Sequence, residues 1–211
     1  FTINSNVPLN DLTLQSTSGS DSELVGVNTR ALTVGGDLSV QDDIELQSNN
    51  LDLTLEGDFT LTGTAAYTPG SNTTSFNVAA STTNTLSGAV SPSFNNFSKS
   101  GSGTLQLGSD ISITGATFNL SAGTLDDNGN TINFSGQQMT IDGTHASPSN
   151  STSNGIIFNA SSQQILQTND SGTFGNLIID NSGGVALPDV KQDFRVNNTL
   201  ALDEGVLDIG P

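Results

Sequence analysis

Two pairs of adjacent acids, Asp42-Asp43 and Asp126-Asp127, each follow a strand-like run and are the residues best suited by type to chemistry. Two carboxylates on one face can divide acid and base work at a glycosidic bond, or share a Ca²⁺ ion with carbonyl oxygens. Adjacent residues of a strand, however, point to opposite faces. One acid of each pair is therefore expected at a corner, and Asp42, Asp43, Asp126 and Asp127 offer at most a weak Ca²⁺ site. The basic residues are isolated and Tyr67 is the only Tyr. No cationic clamp for acidic sugars and no aromatic platform accompanies the acids.

His145 is the only imidazole and lies in the polar stretch HASPSNSTSN, residues 145–154. It is expected to be solvated there rather than part of a nucleophilic triad. With no Cys in the chain, disulfides and thiolate metal sites are excluded. No catalytic residue and no resident cofactor is expected. Thr60, Thr62 and Thr64 form a T-x-T-x-T run of the kind that orders water on a flat ice-binding face. The aligned residues further along are Thr140, Asp142 and Thr144, and Asp142 interrupts the hydroxyl row. The numerous Asn-x-Ser/Thr triplets arise by chance in a chain this rich in those residues.

The elements that carry these residues follow from composition. The 211-residue chain has a net charge of −17, with only Arg30, Lys99, Lys191 and Arg195 as bases. Such a field repels phosphate and anionic lipid, so neither nucleic acid nor membrane insertion is expected. Ser, Thr, Asn and Gly make 100 of the 211 residues and Leu, Ile, Val and Phe 55, enough apolar mass for a core but not for helices. Short runs such as Ile111-Ser112-Ile113 and Ile132-Asn133-Phe134 alternate apolar and polar residues. Corner dipeptides separate them, among them Gly35-Gly36, Asn49-Asn50, Asn95-Asn96, Asn128-Gly129 and Asn197-Asn198.

The chain also repeats. LTVGGDLSV (32–40) matches LQLGSDISI (105–113), and LTLEGDFTLTGT (53–64) matches INFSGQQMTIDGT (132–144) with one inserted residue. FNLSAGTLD (118–126) matches LALDEGVLD (200–208). The unit is about 80 residues, with approximate bounds 1–52 (partial), 53–131 and 132–211. Units of this length built from short strands point to one right-handed parallel β-solenoid of about ten coils, each of roughly 20 residues and stacked over about 50 Å. Tandem β-sandwich domains are the alternative. Two Pro/Ser/Asn-rich stretches, residues 65–75 and 145–154, are expected to leave the coil as recognition loops. Tyr67, Asn72, His145 and Asn150 are their candidate contacts. The first residue is Phe1 and no signal peptide precedes it, so the sequence reads as a mature or excised fragment.

TFGNLIIDNSGGVAL (173–187) and FRVNNTLALDEGVLDIG (194–210) resemble a pattern in very long exported surface proteins of Bacteroidetes. There a Phe-x-Asn-Leu strand, an Asn-Ser-Gly-Gly corner and an N-x-T-L strand pair recur. Such proteins are similar to filamentous-haemagglutinin-like adhesins, and many leave by the type IX route. The likeness covers about two thirds of the chain and carries coil geometry without any catalytic residue. It implies a non-enzymatic structural or adhesive shaft at the bacterial cell surface. Its partners would be neighbouring coils of the same chain, identical subunits end to end, or surface glycans. A carbohydrate-binding or polysaccharide-cleaving β-helix is the alternative function, and an ice-binding solenoid the third.

Overall fold

A coil begins where alternation begins. Leu32–Val34, Leu38–Val40 and Ile44–Gln47 are three short strands, each with its odd-spaced apolar side chains turned inward. Corners at Gly35-Gly36 and near Asp42-Asp43 turn the chain between them; Asp43 has a φ of 65°. The following residues repeat the path as Leu53–Leu55, Phe59–Leu61 and Ala66–Thr68. Each strand lies parallel on its predecessor: Leu32 on Leu53, Leu38 on Phe59, Leu46 on Tyr67.

Continued, this path makes a β-solenoid of about nine turns with three faces. The computed structural model describes residues 1–5, 7–17, 23–168, 171–188 and 193–209. The first face is a nine-stranded sheet from Leu32–Val34 to Leu207–Asp208, and the second a nine-stranded sheet from Leu12–Leu14 to Asp193–Val196. The third is divided into a four-stranded sheet ending at Ala66–Thr68 and a six-stranded sheet starting at Ser93–Phe94. Every strand pairing among the described residues is parallel, from Thr2–Ile3 on Glu23–Val27 to Val185–Ala186 on Leu207–Asp208. Sandwich domains, built on antiparallel neighbours, are thereby ruled out. The turn count is about nine, because steps of 21 residues such as Leu38 to Phe59 are mixed with longer ones, Phe59 to Leu86 and Met139 to Leu166.

The core is a set of axial ladders. On the third face, Ile111, Ile132, Ile156 and Leu177 stack in successive coils and are fully buried. Phe rings run down the middle: Phe76, Phe97 and Phe118 stand 5.2 and 5.3 Å apart, and Phe134 meets Phe158 edge-on at 5.5 Å. Tyr67 and Phe94, 5.9 Å apart, bridge the break in the third face. Burying one such ring contributes roughly 1.5–3 kcal/mol. The central outward row of the first face is polar. The first-face row reads Thr33, Thr54, Ser75, Ser98, Asn119, Thr140, Gln167.

Of the two expected loops, the first is part of the coil, whereas most of the second leaves it. Residues 65–75 include the strand Ala66–Thr68 and the start of Thr73–Asn77, and Tyr67 and Asn72 are buried. His145 sits in the strand Thr144–Ala146 and is wholly buried. Only residues 147–154 leave the coil, with Asn150 exposed as expected. The Pro/Ser/Asn content of these stretches marks tight corners, which the same residues also make. Lys191 lies outside the described residues.

Phe118→Ala, which empties a site in the middle of the stack, is expected to cost about 3–5 kcal/mol in urea unfolding. Ser98→Ala, on the outward row one coil away, is expected to stay within about 0.5 kcal/mol of the parent.

Candidate functional site

The two acid pairs meet different fates. Asp42 is exposed and accepts both the backbone N–H and the hydroxyl of Thr64, at 2.7 Å each. The Thr64 hydroxyl, and next its N–H, hold the Asp42 carboxyl below the ordinary range. The Asp43 carboxylate lies 3.1 Å from the same hydroxyl. The pair thus binds the next coil. The same device recurs along one edge, where Asp11, Asp37 and Asp58 each accept an N–H from the coil above, at 2.7–2.9 Å.

Asp126 and Asp127 point to opposite sides, as alternation requires. Asp126 faces outward and accepts from the Gln106 amide at 3.0 Å and the Asn128 N–H at 2.9 Å. Asp127 faces inward and is fully buried. It accepts from the Gly129 N–H at 2.8 Å, from the Ser147 hydroxyl, and faces His145 Nε2 at 3.0 Å. The Gly175 N–H donates to His145 Nδ1 at 3.3 Å, so Nδ1 carries no proton and Nε2–H donates to Asp127. Ser147 Oγ also accepts the Asn176 N–H at 3.0 Å.

An Asp, a His and a Ser therefore meet, though their order is not that of a nucleophilic triad. Activation of Ser147 needs a hydrogen bond from its hydroxyl to an imidazole nitrogen. Here both the hydroxyl and the imidazole donate to one carboxylate oxygen, and the remaining ring nitrogen is taken by a backbone amide. What this geometry does is fasten three coils: Asp127 belongs to one, His145 and Ser147 to the next, Gly175 and Asn176 to the third. Sequence reasoning placed Asp127 and His145 in separate candidate sites. Their approach follows from the pairing of Leu125 with His145, one coil on.

The other candidates stay apart. Tyr67 Oη lies 2.8 Å from the Thr74 hydroxyl and accepts from Asn72 Nδ2 at 3.0 Å, and burial pushes the phenol pKa up. Asn150 lines a hollow of about 210 Å³ with Pro148, Asn154 and Asn176. No group of three or more Asp, Glu or His among the described residues can hold a metal ion. The T-x-T-x-T run is not one face: Thr60 is in the strand Phe59–Leu61, between Ser39 and Ser87, whereas Thr64 is engaged at the Asp42 corner.

Lys99 was the residue least legible in the sequence. It occupies an inward slot between Phe76 and Leu120 and is fully buried. Its ammonium donates to three corner carbonyls, Gly101 and Gly103 at 2.7 Å and Ala122 at 2.9 Å. Gly123, with φ +67°, lies against it, and a Cβ there would come within 2.4 Å of Nζ. Burial pulls the Lys99 amine down to about 8. The available signal was the alternation Phe97-Ser98-Lys99, which puts Lys99 on the apolar side. Gln164 and Asn181 act alike: Gln164 donates to the carbonyls of Phe134 and Gly136, and Asn181 to that of Ser162.

The chain matches no family model, no curated protein and no solved structure. The class of molecule is thus set by the fold: a β-helical repeat region.

Two outcomes follow. His145→Leu leaves the buried Asp127 carboxylate short of a partner and is expected to cost about 3–5 kcal/mol in denaturant unfolding, part of it recovered when Asp127→Asn is added. For Lys99, the folded-state value lies below that of an unfolded lysine, so the folded chain binds fewer protons between the two. Stability should therefore rise as pH climbs from 8 toward 10, and Lys99→Met should flatten that slope in thermal melts.

Proposed function

We propose that this chain is a shaft segment of an extracellular bacterial surface protein or filament, acting mechanically and without catalysis. The observation that carries the reading is the continuity of the core ladders through the last described coil. Leu177 and Ile179 are fully buried, whereas Leu200 and Leu202, directly above them in register, are 46% and 56% exposed. The same coil geometry, repeated by the same chain or by an identical subunit end to end, extends such a ladder with no new kind of contact. Parallel pairing throughout gives a rod in which each backbone amide of a strand is tied to a neighbouring coil. The acidic exterior keeps the flanks of such rods soluble and apart. The likeness of residues 173–187 and 194–210 to long exported Bacteroidetes proteins supports the cell-surface setting.

The test is shape. Two copies joined in coil register, so that the strand Leu200–Glu204 of one precedes an equivalent third-face strand of the next, should scatter X-rays as a single rod of unchanged cross-section. Its length should be about twice that of one copy, which is roughly 40 Å at the inter-strand spacing. A particle with a flexible joint, or a compact pair, would overturn the shaft reading.

A further inference from the structure

The shaft reading leaves unused a groove along the corner between the third and first faces. It crosses three successive coils, past Thr114, then Ser135 and Gln137, then Ser162 and Gln163, as a shallow, open hollow of about 450 Å³. Gly136 is its floor. A Cβ there would come within 2.1 Å of the Gly115 carbonyl, so coil stacking itself keeps the floor bare. The rim repeats a hydroxyl or an amide at each coil, about 4.8 Å apart. Gln137 and Gln163 are exposed, and neither side chain finds a hydrogen-bond partner among the described residues. They present two donors and an acceptor each to whatever lies in the groove.

Charge selects the occupant. In a chain of net −17, no ionisable side chain lines this groove. The neighbouring first face has an outward row of Thr, Ser, Asn and Gln only, from Thr33 to Gln167. A polyanion would be repelled by the field of the whole chain, and a polycation, though drawn to the chain, would settle on its carboxylates elsewhere rather than in this uncharged groove. An apolar segment would strand the free amides without partners. What remains is an extended, uncharged molecule bearing regularly spaced hydroxyls.

We infer that the groove past Thr114, Gln137 and Gln163 binds a neutral glycan chain lying along the solenoid axis. The free amides bond its hydroxyls, and successive coils extend the contact by one step each. Contacts of this kind are individually weak and gain strength when several rungs or several shafts engage one polymer. The inference deepens the shaft reading by giving it a partner class. The two fail separately, since rod shape is read by scattering and glycan binding by titration.

The experiment is a two-dimensional NMR titration of the protein with neutral hexasaccharides of glucose, mannose and galactose, and with a uronate hexasaccharide of equal length. At least one neutral hexamer should give saturable shifts confined to residues 114–116, 135–138 and 162–163, including the Gln137 and Gln163 side-chain amides. The uronate should bind at least about tenfold more weakly. Gln137→Glu with Gln163→Glu, both exposed, should keep the thermal midpoint and weaken the neutral hexamer by at least about tenfold. Gln163→Ala, which adds no charge, should weaken it less but measurably. Absence of saturable shifts with all three neutral hexamers would overturn the inference. So would shifts mapping to other residues, or equal binding by the charged variant.

Discussion

A single coil of this protein cannot fold alone, and that constraint organises everything else. Three short strands expose one apolar edge and two rows of unpaired amides and carbonyls, each costly to bury without a partner. Only another coil of the same shape, set one strand spacing along, satisfies both at once. Stacking of Ile111, Ile132, Ile156 and Leu177 and the parallel pairing of the strands that bear them are thus two aspects of one interaction. The sequence serves it by repeating apolar side chains in register and by leaving the outward row polar.

Corners are where this arrangement is incomplete. A chain turning between faces directs carbonyls inward, where no ladder partner waits. The buried polar side chains answer this one by one: Lys99 takes three carbonyls, Gln164 two, and Asn84 the carbonyl of Glu56. The Asp127, His145 and Ser147 group does the same for amides, receiving N–H groups from Gly129, Gly175 and Asn176. Residue types that elsewhere signal catalysis serve here to satisfy backbone groups in a dry interior. Their placement explains why Lys99, Asp127 and His145 are among the most buried residues of the chain.

The architecture was legible in the sequence because it rests on alternation and turn residues, both local properties. The parallel solenoid, the strands at Ile111–Ile113 and Thr131–Phe134, and the opposed directions of Asp126 and Asp127 all follow from period two. The pairing of LTVGGDLSV directly on LTLEGDFTL, one coil later, was equally present in the residues as a match at short offset. The corner contents were not legible. Whether a Pro/Ser/Asn stretch leaves the coil or turns within it depends on what the neighbouring coils place beside it. His145 becomes a core residue only because Asp127 and Gly175 flank it from the coils on either side. Lys99 read only as an isolated base because charge alone says nothing of three carbonyls converging on an inward slot.

The axial order of the coils is the claim on which all of this stands, and a chain free of cysteine allows it to be read directly. Ser98 and Asn119 face outward from adjacent coils in register, while Thr140 lies one coil further. Neighbouring strands are about 4.8 Å apart, within reach of a disulfide, and strands two apart are beyond it. On mild oxidation, Ser98→Cys with Asn119→Cys should close an intramolecular disulfide in nearly all molecules, and Ser98→Cys with Thr140→Cys in almost none. Closure of the second pair in preference to the first, or of neither, would contradict the stacking of successive coils along one axis.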